Sequence, residues 1–255
     1  MEKRIAAQLF TVREFTQTLA GLEESLAKIA AIGYKAVQIS MVSADITAEQ
    51  IKAACEKHNL VPVCTHRSWP EYTEQLDATV QFHKTLGCNT PGIGAIPNLR
   101  TGFTMQDVIE FVDKMNEIHA VFAQNGMNFC YHNHDIEFRK FDGVRPIDYI
   151  LEHGKFDFIV DLYWVAAAGV DPARFLRRIG SRAKIVHFKD MTVIPNGKGQ
   201  QIAEVMDGNL DWDSILEACE EVGTEWAVVE LDSVEGDPFD ALARCYESLK
   251  TKGFC

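Results

Sequence analysis

Short apolar segments alternate along the chain with longer amphipathic segments. The apolar segments are rich in Val, Ile and aromatic residues, and they lie near residues 4–10, 34–40, 61–66, 89–95, 127–134, 156–161, 183–190 and 226–231. Between them, apolar residues recur at helical spacing, for example at Leu22, Leu26, Ile29 and Ile32. This alternation of strands and helices predicts βαβ units and a parallel sheet.

The predicted helices have recognisable ends. Thr47 with Gln50 three residues later forms the pattern of a capping box, and Thr104 precedes a long helical segment. Asp211 is placed to cap a helix that ends at Gly223. Each predicted strand is therefore followed by a helix with a start signal, a stop signal or both.

Eight strand–helix units in 255 residues fit one (β/α)8 TIM barrel, which we expect to span residues 1–255 as a single domain. No linker-like segment divides the chain. An open doubly wound sheet is the alternative architecture. Two connections, 96–103 and 191–209, are longer than simple turns, and we expect loops there that could cover a site.

Composition restricts the classes of function. With 47% hydrophobic and 24% charged residues the chain is typical of a soluble protein. The apolar stretch near its N-terminus is too short for a signal peptide or a membrane span. The net charge of −12 disfavours binding to nucleic acid or to anionic membranes. Seven scattered cysteines without C-x-x-C spacing indicate reduced thiols in a cytoplasmic protein.

Polar residues end most of the predicted strands. They are Gln8, Gln38, His66, His132, His134, Asp161, His187 and Glu230. Because all strands of a parallel barrel end at one face, we expect these side chains to meet there. Carboxylates mixed with imidazoles suit Mn²⁺, Fe²⁺, Co²⁺ or Zn²⁺. Taken singly, each residue also has an ordinary explanation: Asp161 could cap the next turn, and Lys189 could pair with Asp190 at the rim.

Five segments carry a family resemblance: "GYKAVQIS", "YHNHDIEF", "VDLYWVAAAGVDP", "VHFKDM" and "VVELD". Through them the sequence resembles the xylose-isomerase-like TIM-barrel superfamily, in its sugar phosphate isomerase/epimerase branch. The resemblance implies a divalent metal held by Glu, Asp, His and Glu from strands five to eight. Asp161, His187 and Glu230 occupy three of these positions. His132 stands where the fifth-strand Glu is expected, and Glu137 is the alternative ligand.

By this resemblance we expect a metal-dependent isomerase or epimerase that acts on a sugar, keto sugar or polyol through an enediolate-type intermediate. Glu230 is the expected base, and His134 and Lys189 complete the catalytic set. The residues expected to bind substrate are Gln8, His66 and Trp164. Mn²⁺ is the first choice of metal, with Co²⁺, Zn²⁺, Fe²⁺ and Mg²⁺ as alternatives.

Other functions remain open at this point. The reaction could be dehydration by a lyase acting on a related keto sugar or inosose, or the barrel could bind carbohydrate without catalysis, which the departure at His132 would explain. A DNA-repair endonuclease of the same barrel is disfavoured by the charge of −12. The expected partner is a small carbohydrate, and exposed rim loops are compatible with a homodimer.

Overall fold

A computed structural model describes residues 3–99, 101–141 and 143–255, which form a parallel β-barrel surrounded by helices. The strands are β1 (Ile5–Gln8), β2 (Ala36–Ile39), β3 (Val61–Thr65), β4 (Gly92–Ile93), β5 (Cys130–His132), β6 (Asp157–Asp161), β7 (Ile185–Phe188), β8 (Asp190–Val193), β9 (Gln200–Ala203) and β10 (Trp226–Val229). Eight of them form one sheet in the order β3-β2-β1-β10-β7-β6-β5-β4, and neighbouring strands in this order pair in parallel among the described residues. Every strand of this sheet falls within one of the predicted segments.

The two edge strands of the sheet, β3 and β4, are joined by backbone hydrogen bonds. The Arg67 amide donates to the Gly92 carbonyl at 3.1 Å, and the Thr65 amide donates to the Thr90 carbonyl at 3.3 Å. A side chain at position 92 would collide, because its Cβ would lie 2.8 Å from the Thr65 carbonyl oxygen. Glycine thus permits the close approach that closes the sheet, and the predicted barrel is confirmed over the open doubly wound sheet.

The helices cover the outside of the barrel. They are α1 (Leu19–Ile32), α2 (Ala48–Lys57), α3 (Trp69–Glu74), α4 (Leu76–Leu86), α5 (Met105–Gln124), α6 (Pro146–His153), α7 (Leu162–Ala167), α8 (Pro172–Ile179), α9 (Trp212–Val222) and α10 (Pro238–Lys250). The predicted caps are confirmed: Thr47 and Gln50 form a capping box, Thr104 caps α5, and Asp211 caps α9. Gly223 ends α9 with φ of 75°, in the left-handed region.

The long connection after β7 is not the irregular loop that we expected. Its residues Asp190–Val193 and Gln200–Ala203 form an antiparallel hairpin, β8–β9, outside the barrel sheet. The turn between these strands contains Asn196 and Gly197, and the Gly197 amide donates to the Ile194 carbonyl at 2.8 Å. The other long connection, 96–103, has no helix or strand among its described residues.

Two layers of side chains follow from the alternation of residues along the barrel strands. One hydrophobic cluster contains small and branched side chains from seven barrel strands: Ala6, Ala36, Val63, Cys64, Cys130, Ile159, Ile185 and Val228. A second, larger cluster packs strands against the surrounding helices. Strand residues two positions apart point to the same side of the sheet. For most members of the first cluster, the residue two positions later therefore also points into the barrel, one layer closer to the C-terminal ends of the strands.

Six of the seven cysteines are buried, and all seven are free thiols as predicted, with Cys255 exposed. Among the described residues, none of the helices combines the length and apolar character needed to cross a membrane.

Candidate functional site

A polar layer lies directly above the apolar layer inside the barrel, at the C-terminal ends of the strands, which we call the mouth. Its members are Gln8, Gln38, His66, His132, Asp161, His187 and Glu230, each two residues after a member of the apolar cluster. All except His66 are less than 5% exposed. The polar residues at the strand ends therefore form one buried group.

Four of these side chains converge on one point, and we call His132, Asp161, His187 and Glu230 the four-residue cluster. One nitrogen or oxygen atom from each lies within 4.8 Å of the corresponding atoms of the others. The residues come from four successive strands of the sheet order, β5, β6, β7 and β10. Residues more than forty positions apart in sequence, such as His187 and Glu230, thus meet at the distance required of ligands to one cation.

The outward atoms of three cluster residues are fixed by hydrogen bonds. His132 Nδ1 donates to the Gly94 carbonyl at 2.9 Å, His187 Nε2 lies 2.9 Å from Gln38 Oε1, and Asp161 Oδ1 accepts the Trp164 amide at 3.0 Å. The atoms left facing the centre are His132 Nε2, His187 Nδ1 and Asp161 Oδ2. Such outer hydrogen bonds orient histidine and carboxylate ligands in metal sites, so the residues fit a divalent cation.

An ammonium group already faces the same oxygens. Lys189 is fully buried, and its Nζ lies 2.9 Å from Asp161 Oδ2, 2.7 Å from Glu230 Oε2 and 2.7 Å from Asp232 Oδ2. The alternative of an ordinary Lys189–Asp190 ion pair at the rim is wrong. Neighbouring strand residues point to opposite sides, so Lys189 enters the mouth with His187 while Asp190 faces away.

Asp190 instead anchors the chain around the hairpin. Its buried carboxylate accepts five N–H groups, from the amides of Met191, Met206, Gly208 and Leu210 and from the indole of Trp212. Only glycine fits at position 208. A Cβ there would collide with the Asp190 carboxylate and would lie 2.5 Å from the Met191 carbonyl oxygen. Asp190 therefore organises the connection from β7 to α9.

The charges of the mouth determine the protonation of the cluster. Burial disfavours the charged form of Asp161 and Glu230, but the Lys189 ammonium outweighs it and holds the pKa of both carboxyls well below the usual range. Burial also disfavours a charged His187, but the carboxylates of Glu230 and Asp161 raise its pKa to about 9. At neutral pH the carboxylates are ionised, and His187 carries a proton on the nitrogen that faces them, in the position a cation would occupy.

A cavity of about 590 Å³ opens from the cluster to solvent. His66, His134 and Trp164 line it, and each has a buried nitrogen without a hydrogen-bond partner among the described residues: His66 Nε2, His134 Nδ1 and Trp164 Nε1. Buried polar atoms without partners are costly, so these three nitrogens are available to hydrogen-bond a polar molecule in the cavity. Trp69 and Leu99 add apolar walls to the cavity.

Burial and the neighbouring His132 hold the pKa of both His66 and His134 well below the usual range, so their rings are neutral. The predicted loop 96–103 contributes Asn98, Leu99 and Thr101 to the cavity wall, whereas no residue of the hairpin β8–β9 lines this cavity.

Two sequence candidates lie apart from the cavity. Gln8 is fully buried in the polar layer, where its Oε1 accepts the Phe10 amide at 3.4 Å, and it does not line the cavity. Glu137, the alternative metal ligand, bonds instead to the Tyr131 hydroxyl and accepts the His134 amide at 3.0 Å. Both oxygens of Glu137 are thus used in supporting the loop after β5, and the residue is not part of the four-residue cluster.

Sequence reasoning did not identify Asp232, which contacts Lys189 and lines the cavity. The signal was present, because Asp232 stands two residues after Glu230 and strand alternation places both on the same side.

The protein is a parallel TIM barrel with a buried histidine–carboxylate cluster at its mouth. This is the face on which TIM-barrel enzymes carry their active sites. The chain belongs to the xylose isomerase-like TIM barrel family, whose sequence pattern matches residues 26–251. The resemblance inferred from the sequence is therefore confirmed. No curated protein matches the chain.

Solved structures with the same fold have diverse functions. A sugar phosphate isomerase/epimerase from Parabacteroides distasonis is 20% identical with a TM-score of 0.77, covering 97% of this chain and 93% of that one. A probable 3-DHS dehydratase involved in petrobactin synthesis from Bacillus anthracis is 15% identical with a TM-score of 0.73, covering 97% and 98%. An AP endonuclease, family 2, from Brucella melitensis is 17% identical with a TM-score of 0.70, covering 96% and 98%. At these identities the likeness shows the fold alone.

Proposed function

We propose that this protein is a metal-dependent isomerase or epimerase of a sugar, keto sugar or polyol. The observation that carries the proposal is the convergence of His132, Asp161, His187 and Glu230 within 4.8 Å. Two imidazoles and two carboxylates form a donor set suited to Mn²⁺, our first choice, and also to Co²⁺, Zn²⁺ or Fe²⁺, while Mg²⁺ prefers more oxygen ligands. A cation there supplies Lewis-acid polarisation of a substrate oxygen, which acidifies the neighbouring C–H bond.

The side chains of the mouth provide the remaining parts of proton transfer. Glu230 is ionised and edges the cavity, so it can accept a proton from a substrate carbon. The positive charge of Lys189 is suited to stabilise negative charge on the adjacent oxygen of an enediolate-type intermediate. The neutral ring of His134 has one donor and one acceptor nitrogen, and it is suited to moving a proton between hydroxyl oxygens.

Substrate contacts follow from the cavity wall. The free nitrogens of His66 and Trp164 are placed to hydrogen-bond hydroxyl or carbonyl groups. The indole of Trp164 also offers a flat apolar face for the C–H side of a sugar. Gln8 lies fully buried in the polar layer and does not line the cavity, although its Nε2 has no hydrogen-bond partner among the described residues.

The test is a panel of keto sugars, inositol ketones and ketohexoses incubated in D₂O with Mn²⁺ or with chelator and followed by proton NMR. We expect turnover with deuterium at the exchanged carbon, loss of turnover in chelator, and loss of turnover in Glu230→Gln. Glu225→Gln, which changes a carboxylate at the opposite end of the barrel, is the matched control and should retain turnover.

The same spectra separate the competing functions. Loss of water from the substrate would identify a dehydratase, and binding of a sugar without exchange of deuterium or product formation would identify a carbohydrate-binding barrel. Turnover that is unaffected by both chelator and Glu230→Gln would contradict the proposed mechanism.

A further inference from the structure

Lys189 and a bound metal would compete for the same two oxygen atoms. Lys189 Nζ contacts Asp161 Oδ2 at 2.9 Å and Glu230 Oε2 at 2.7 Å. These are carboxylates of the four-residue cluster, and Asp161 Oδ2 is its inward atom. An ammonium and a divalent cation in contact with the same pair of oxygens repel each other strongly in a buried site, so binding of the metal favours movement of the ammonium.

A third carboxylate offers the ammonium another position. Asp232 Oδ2 lies 2.7 Å from Lys189 Nζ, and its side chain is 29% exposed where it faces the cavity. The segment that carries Asp232 is held by two bonds: Arg13 donates to the Asp232 carbonyl at 3.1 Å, and the Leu231 amide donates to Thr11 Oγ1 at 3.0 Å. Asp232 is therefore a fixed partner toward which the flexible lysine side chain can shift.

Charge balance agrees with two positions for the ammonium. Asp161 and Glu230 together carry two negative charges, which one divalent cation neutralises. Asp232 carries a third negative charge, which the single charge of Lys189 neutralises. With metal present, the negative charges are neutralised locally when Lys189 pairs with Asp232, whereas without metal Lys189 is shared among all three carboxylates.

We propose that Lys189 is an exchangeable internal cation, which stabilises Asp161 and Glu230 when no metal is bound and moves to Asp232 when a metal binds. The proposal rests on the metal site of the proposed function. Its consequence is that the barrel mouth is stable without metal, that Lys189 weakens metal binding, and that Asp232 strengthens it by accepting the displaced ammonium.

The experiment measures Mn²⁺ affinity by calorimetry, and thermal unfolding in chelator and in Mn²⁺, for the full chain and three variants. Lys189→Met should bind Mn²⁺ about tenfold or more tightly than the unaltered chain, because a repelling charge is gone. Its melting temperature should fall in chelator and should rise on Mn²⁺ addition by more than that of the unaltered chain. Asp232→Asn should bind Mn²⁺ about tenfold more weakly, because the ammonium has no second partner.

The matched control is Lys184→Met, which removes a half-buried lysine paired with Glu225 at the opposite end of the barrel. Its Mn²⁺ affinity should equal that of the unaltered chain. Equal Mn²⁺ affinities for Lys189→Met and the unaltered chain would overturn the exchange. Should Lys189→Met fail to fold, Asp232→Asn decides alone: weaker binding supports the exchange, and unchanged binding overturns it.

The outcomes also separate this inference from the proposed reaction. Shifted affinities without turnover of any sugar support the exchange and refute the isomerase. Turnover that needs Mn²⁺, with affinities insensitive to Lys189 and Asp232, supports the isomerase and refutes the exchange.

Discussion

His132 presents one ring nitrogen to the four-residue cluster because its other nitrogen is bound to the Gly94 carbonyl. That bond fixes the ring and leaves Nε2 3.3 Å from Asp161 Oδ2, two atoms that need a proton or cation between them. A histidine at the end of β5 therefore suits a ligand position in which the resemblance leads us to expect glutamate.

Replacement of His132 should weaken metal binding. We expect His132→Ala to lower the Mn²⁺ affinity about ten- to a hundredfold, measured by calorimetry, because one ligand is lost. His153→Ala, at an exposed histidine at the end of α6, is the control and should leave the affinity unchanged. If His132→Ala binds Mn²⁺ normally while Glu137→Gln does not, the ligand role belongs to Glu137.

Glu137 gives the protein a pH-dependent stability. Burial raises its pKa from 4.5 to about 8, against the opposing effect of hydrogen bonds from Tyr131 and His134. Between these pH values the folded chain holds a proton that the unfolded chain has released. The free energy of unfolding should therefore decrease as the pH rises from about 4.5 to about 8, by an amount on the order of a few kcal/mol.

Glu137→Gln should remove this dependence, which urea unfolding at about pH 5 and about pH 8 can measure. The exposed Glu110→Gln on α5 serves as the reference and should keep the slope of the unaltered chain. An identical slope in Glu137→Gln and the unaltered chain would show that Glu137 is ionised in the folded state.

Most of the polar residues of the mouth could be predicted from the sequence, whereas their pairing could not. Asp161, His187 and Glu230 follow apolar strand segments directly, so their meeting follows from the barrel alone. The position of Lys189 depends on how its long side chain reaches across to β6 and β10, which no local pattern determines. Strand alternation would still have excluded the Lys189–Asp190 pair.

The hairpin β8–β9 depends on Asp190. One buried carboxylate accepts five N–H groups there, and asparagine would turn an NH₂ group toward several of them. We expect Asp190→Asn to lower the free energy of unfolding by about 3 kcal/mol, measured by urea denaturation. Asp213→Asn, at an exposed carboxylate on α9, should change it by less than about 0.5 kcal/mol. Equal effects of the two substitutions would contradict an anchoring role for Asp190.

The helices were predictable from their caps, but the hairpin was not predicted although its signal was present. Asn196 and Gly197 lie between two segments that can pair, and Asn-Gly is a typical hairpin turn. The surrounding polar residues made this segment look like a loop. Strand β4 is only two residues long, shorter than the segment 89–95 in which it was predicted, and the glycine at position 92 reflects the close approach to β3.

The barrel as a unit was predictable because eight strand–helix repeats leave few ways to bury so many apolar strands. The barrel closes between β3 and β4 because their backbones approach closely at Gly92. This is a tertiary contact, which the pattern of apolar and polar residues along the sequence does not predict. The single-domain extent over residues 1–255, the homodimer and the cytoplasmic location stay predictions.

The burial of the cysteines gives the molecule one chemically distinct position. Burial raises the pKa of Cys55, Cys88, Cys219 and Cys245 to about 12, and that of the other two buried thiols well above the usual range. Cys255 alone among the seven is exposed, and its amide bonds to the Lys3 carbonyl beside the start of β1, far from the mouth. A maleimide should therefore label the native protein once, whereas mass spectrometry after denaturation should show seven adducts. A dye attached in this way, without engineering, would follow the tumbling of the chain while leaving the cavity at the mouth untouched.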